Sequence, residues 1–143
     1  MPRYVTSVST PRHPDDAFEF MASFENVAGW DPGVVEAERL GSGELGVGSR
    51  FRVVVSSAGR RLPLEYRITR FDRPHLVLLV AETATLRSVD LITVEAKPGG
   101  ATVTYDANLE LVGPLRLFNR VLALMFDRVG DRAAAGLRGA LQN

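Results

Sequence analysis

The spacing of hydrophobic and polar residues changes period along the chain. From Val34 to Leu111 the period is two, as for strands whose side chains alternate between two faces. Ala101 to Leu111 shows it most clearly. Val103, Tyr105, Ala107, Leu109 and Leu111 oppose Thr102, Thr104, Asp106, Asn108 and Glu110. Leu62 to Phe71 alternates well too, with Leu64, Tyr66 and Ile68 on one face. The remaining strands in this stretch are Val34–Leu40, Arg50–Ser57, His75–Thr83 and Arg87–Ala96. Turns are predicted near Ala58-Gly59, at Arg73-Pro74 and at Pro98-Gly99-Gly100. Ahead of this block, Tyr4–Thr10 reads as a first strand, rich in Val, Thr, Ser and Tyr. His13-Pro14-Asp15-Asp16 opens a helix, with Phe18, Met21 and Ala22 on its apolar side. Ser23 can cap a second short helix that runs to about Gly29.

After Leu111 the period becomes 3.6. Pro114 to Leu141 reads as one amphipathic helix of about 40 Å, starting at Gly113-Pro114. Leu115, Phe118, Leu122, Met125, Phe126, Val129, Ala133, Leu137 and Leu141 fall on one side at the helical angle of about 100° per residue. So long a stripe needs a broad sheet to lie on. The predicted fold is α+β: a curved seven-stranded antiparallel sheet gripping a long C-terminal helix, with two short helices after the first strand. No repeat, low-complexity tract or linker divides residues 1–143, so one domain is expected.

A curved sheet holding a helix leaves room for a cavity, and the inward list contains large and polar-tipped side chains. Trp30, Phe51, Tyr66, Tyr105, Phe118, Leu122 and Met125 are candidate ligand-binding residues, and Asp90 joins them. On the alternation Asp90, Ile92, Val94 the carboxyl shares a face with apolar groups, where it must be paired, hydrated or protonated. A phase shift of one residue would put it on the surface instead. Trp30 either walls a pocket or plugs the core. The Tyr66 and Tyr105 hydroxyls either face a wet cavity or bond to backbone. Leu117, Val121 and Leu124 form a second apolar stripe on the flank of the helix away from the core. This flank is expected to contact something beyond the domain's own sheet, either a second subunit, giving a homodimer, or a bilayer surface.

Composition removes several classes. Seventeen basic and seventeen acidic residues balance, which argues against nucleic acid as a partner. There is no cysteine, and His13 and His75 are the only histidines, so thiolate and multi-histidine metal sites are out. The glycine-rich stretch 41–48 precedes a strand and matches no phosphate-binding pattern; no cofactor is expected, and a loop at a pocket mouth is one reading. No apolar run reaches the length of a membrane span, and the first ten residues lack a signal-peptide core, so the cytoplasm is the expected location. No Ser–His–acid set can be argued from spacing.

The element order, with Trp30-Asp31-Pro32 after two short helices, resembles the START-like, helix-grip superfamily of polyketide cyclase/dehydrase and lipid-transport domains (SRPBCC). Val47–Phe51 resembles the stretch leading into its third strand, Tyr66–Pro74 its strand-to-turn stretch, and Pro98–Tyr105 its last hairpin. The resemblance implies an apolar tunnel between sheet and helix, holding a small hydrophobic molecule such as a lipid, polyketide or aromatic metabolite. Some members catalyse cyclisation or dehydration, so a cyclase or dehydratase acting in the same cavity is the alternative. A protein-interaction domain using the helix flank is a third reading. No catalytic set matching a characterised member is present.

Overall fold

The computed structural model describes residues 2–57 and 59–142. The order is β1 (Arg3–Thr10), α1 (Pro14–Ala22), a 3-10 helix (Phe24–Gly29), β2 (Val34–Leu40), β3 (Arg50–Ser57), β4 (Arg60–Asp72), β5 (Leu76–Glu82), β6 (Leu86–Lys97), β7 (Gly100–Leu111), a second 3-10 helix (Gly113–Phe118) and α2 (Asn119–Ala140). All seven strands join one antiparallel sheet in the order β1-β7-β6-β5-β4-β3-β2. The meander thus runs from β2 to β7, and β1 closes against its last strand. The expected turn near Ala58-Gly59 lies partly outside the described residues.

Two register shifts, between Val34 and Glu36 and between Ile68 and Arg70, put an extra residue into β2 and β4. Such bulges bend the strand and increase its twist. The sheet is accordingly a curled half-barrel. β4 pairs with β5 only from Tyr66 onward, so residues 60–65 pair with β3 alone. Gly99 turns β6 into β7 at φ 82°, a left-handed conformation that costs a glycine little.

The local signals explain the helices. His13 caps α1, its Nδ1 accepting the Asp15 N–H, with proline and two acids in the first turn. Ser23 precedes the 3-10 helix but makes no side-chain cap bond, contrary to expectation. The C-terminal element also differs from its reading as one helix over 114–141. Residues 113–118 form a 3-10 helix, and the α-helix begins at Asn119. Asn119 fixes the junction: its side-chain amide donates to the Leu111 carbonyl and accepts the Leu111 N–H.

The core lies on the concave face of the sheet. Phe18, Met21, Phe24, Val27 and Trp30 cover it from the short helices, and Ala133, Ala134, Leu137 and Leu141 from the second half of α2. Two glycines bring that half close. A Cβ on Gly136 would sit 1.8 Å from the Trp30 carbonyl oxygen, and one on Gly130 would sit 2.2 Å from the Tyr4 ring. The first half behaves differently. Leu122 and Phe126 are half-buried, but Leu115, Phe118, Met125 and Val129 are exposed. The expected continuous buried stripe is therefore realised only over the helix's C-terminal turns.

Candidate functional site

Strand register assembles the candidate site. Tyr66 pairs with Ala81, Ala81 with Ser88, and Ser88 with Leu109, so these four lie in one row across the sheet. The next row is Ile68, Leu79, Asp90, Ala107 and Tyr4, and the one after holds Val77, Ile92, Tyr105 and Thr6. All three rows face the concave side. Asp90 thus stands near the middle of an apolar wall, in the phase that Ile92 and Val94 indicate, and is 3 % exposed.

Four polar side chains meet there. The Tyr105 hydroxyl donates to Asp90 Oδ2 over 2.8 Å. The Tyr66 hydroxyl and Ser88 Oγ share a bond of 2.8 Å. Ser88, two residues before Asp90 on the same face of β6, stands beside the second pair. Aromatic rings pack around them. Trp30 meets Tyr105 edge to face at 5.3 Å, and Phe24 packs on Tyr66 at 5.0 Å and on Phe51 at 6.3 Å. The Trp-Asp-Pro-Gly stretch explains how Trp30 reaches the cluster. The 3-10 helix ends at Gly29, the Trp30 N–H still bonds back to Val27, and Asp31 folds onto the Gly33 N–H at 2.9 Å before β2 begins.

Among the described residues no ion pair to Asp90 occurs, and burial dominates the charge of the cluster. Burial pushes the Asp90 carboxyl up from its ordinary 3.8 to about 7, and the negative charge of Asp31 adds to the effect. The Tyr105 and Ser88 hydrogen bonds favour the carboxylate and work the other way. Tyr66 and Tyr105 are raised well above 10, first by burial and then by Asp90, so both remain neutral donors. Burial also raises Asp31, opposed by the Gly33 N–H. The cluster therefore offers two phenols, one hydroxyl and one carboxyl poised to hold or release a proton near neutrality.

Of the residues read from sequence, Trp30, Phe51, Tyr66, Asp90 and Tyr105 come together and are buried. Phe118 and Met125 do not join them; they are 55 % and 59 % exposed, and Leu122 is half-buried. The reason is that α2 buries side chains only from Gly130 onward: its first half does not pack on the sheet, so Met125 within it and Phe118 at its start are left exposed. Ser88 and Asp31 were missed. Ser88 was open to the alternation that placed Asp90, two residues on. Asp31 carried no periodic signal. Two shallow hollows mark the surface elsewhere: about 440 Å³ beside His13, Lys97 and Gly100, and about 400 Å³ beside Gly113, Pro114, Arg116 and Leu117. Neither is the tunnel between sheet and helix that the resemblance implies. No group of three or more potential metal-ligating side chains occurs among the described residues.

Solved structures share this architecture. TTHA0849 from Thermus thermophilus superposes with a TM-score of 0.77 at 14 % identity, covering 98 % of this chain and 97 % of that one. A START superfamily protein from Mycobacterium smegmatis gives 0.74 at 12 % identity, covering 97 % and 96 %. The di-domain ARO/CYC BexL of the BE-7585A biosynthetic pathway gives 0.64 at 15 % identity, with this chain matching 49 % of its length. Likeness at such identities establishes the fold alone. No curated protein matches the chain in sequence. Residues 1–142 match the family described as polyketide cyclase / dehydrase and lipid transport, and the chain belongs to that family.

Proposed function

We propose that the domain binds a small, largely apolar organic molecule against its concave face, with the ligand's polar end held by Tyr66, Ser88, Asp90 and Tyr105. The observation that carries this reading is the two adjacent polar pairs, Tyr66–Ser88 and Tyr105–Asp90, set into an otherwise apolar wall beneath Trp30. Such a pairing of apolar lining with a few directed polar groups is what fixes an organic ligand's orientation. The loosely packed first half of α2 gives the ligand a way in, because few buried contacts oppose its displacement from the sheet.

Trp30 is the chain's single tryptophan, so its fluorescence reports on the site directly. Titration with a fatty acid, a sterol and a polycyclic phenol should give a saturable change with at least one. Asp90→Asn and Tyr105→Phe should weaken a hydroxyl-bearing probe by about tenfold or more, as loss of a buried hydrogen bond to a charged group does. The reading fails if none of the three probes gives a saturable response.

A second reading, a cyclase- or dehydratase-type enzyme, is favoured by one observation: a buried carboxyl that titrates near 7 beside two neutral phenols. It predicts that Asp90→Asn abolishes turnover of a polyketide-like substrate while sparing its binding.

A further inference from the structure

Ten large apolar residues are exposed among the described residues, and seven of them lie between Leu115 and Val129. Leu117 and Leu124 are 83 % and 78 % exposed, and Phe118, Val121 and Met125 are each more than half exposed. A run of this kind on a folded domain marks a contact surface. The charges around it identify the other side. Arg116, Arg120 and Arg128 punctuate the segment against Asp127 alone. The start of β4 lies at the same end of the sheet, since β3 and β7 both finish there, and it presents exposed Arg60 and Arg61. Of the acids at that end, Glu82 is held by Arg87, Glu36 by Arg52, and Asp31 is turned onto the Gly33 N–H, which leaves Glu110. Arg116 also lines the hollow beside Gly113 and Pro114. A chain with no net charge thus carries a basic surplus on its exposed apolar segment and at the end of the sheet beside which that segment starts.

We propose that residues 113–129 form a docking surface for an anionic lipid bilayer, with the leucine, phenylalanine and methionine side chains entering the interface and the arginines meeting phosphate headgroups. The segment has the makeup of a surface that enters an anionic interface: large exposed apolar groups with arginines interleaved among them, Arg128 falling between Leu124 and Val121 around the helix. No helix among the described residues is long and apolar enough to cross a membrane, so contact would be in the plane of the surface. A second copy of the chain fits less well. A two-fold contact through this patch would bring arginines against arginines, with Asp127 the one acid on the segment to receive them.

Co-sedimentation of the whole chain with vesicles tests this without any cavity ligand, so its failure leaves the reading of the concave face intact. The protein should partition onto phosphatidylglycerol-containing vesicles and be released by high salt, and should leave pure phosphatidylcholine vesicles largely unbound. Leu117→Glu/Leu124→Glu and Arg116→Gln/Arg120→Gln should each weaken partitioning by about tenfold or more. Their thermal unfolding should stay unchanged, since all four side chains are exposed. The proposal is overturned if the wild-type chain ignores anionic vesicles, or if the variants bind them as well as it does. It is overturned too if size-exclusion chromatography shows a dimer that Leu117→Glu/Leu124→Glu dissociates, because a second copy would then cover the patch.

Discussion

The two halves of α2 are built from different residues and do different work. The C-terminal half carries Gly130, Ala133, Ala134, Gly136 and Leu137, mostly small, and approaches the sheet until backbone and ring almost touch it. The N-terminal half carries Val121, Leu122, Leu124, Met125 and Phe126, which are larger and more apolar, yet most of that surface stays in contact with solvent. Hydrophobicity alone would have ranked the halves the other way. Close approach is decided by what fits, and a small residue against a carbonyl allows a dock that a leucine would prevent. The contrast also ties the helix to the site. Gly136 meets Trp30, Trp30 meets Tyr105, and Tyr105 holds Asp90.

The contrast can be broken most forcefully at Leu137. It is fully buried, so Leu137→Ala should cost about 2–5 kcal/mol in denaturant unfolding, whereas Leu124→Ala should stay within about 0.5 kcal/mol. Similar losses at both positions would mean that the halves are packed alike. The next largest effect is expected at the glycines. Gly136→Ala should destabilise by about 2 kcal/mol despite alanine's better helix propensity, because its Cβ meets the Trp30 backbone. Gly139→Ala, with nothing within 4 Å of the new Cβ, should stabilise by up to about 1 kcal/mol. Matching results at Gly136 and Gly139 would show that no tight clasp exists.

A finer measurement concerns what the clasped half seals in. The folded chain holds the Asp90 proton up to about pH 7, while the unfolded chain releases it near 3.8. Between those values the folded state binds more protons, so stability should fall as pH rises through that window and level off above it. The slope is at most about 1.4 kcal/mol per pH unit. Asp90→Asn, which mimics the protonated form, should flatten thermal-unfolding curves between pH 4 and 7; an unchanged slope would show that Asp90 is solvated or paired.

Much of the fold was legible because strands announce themselves by alternation. Two of the seven predicted strands, Val34–Leu40 and Arg50–Ser57, match the observed limits, and the others agree to within two residues at each end. The same alternation offered Asp90 for the wall that holds Tyr66 and Tyr105 but left a one-residue phase shift open, and it is the strand register that puts all three on one face. The helix was read less well. Its period says which residues share a side, and says nothing about how far a curved sheet extends beneath them. Phe118, at the end of the 3-10 segment, and Met125, two α-helical turns on, are exposed alike for that reason. Asp31 escaped notice because its influence on Asp90 acts through space, between segments that the sequence keeps far apart.

The pairing of β1 with β7 has a consequence for how the molecule assembles. The Thr10 hydroxyl donates to the Leu141 carbonyl, 131 positions away, and the Arg12 guanidinium donates to that of Ala140. On a ribosome the opening strand would wait for almost everything behind it before finding a neighbour. Closure of so large a loop is a slow step in self-assembly, and until it happens an unsatisfied strand edge stands open to other chains. Fusions or tags that delay the tail's emergence should therefore cost yield through aggregation before they cost anything in the finished molecule.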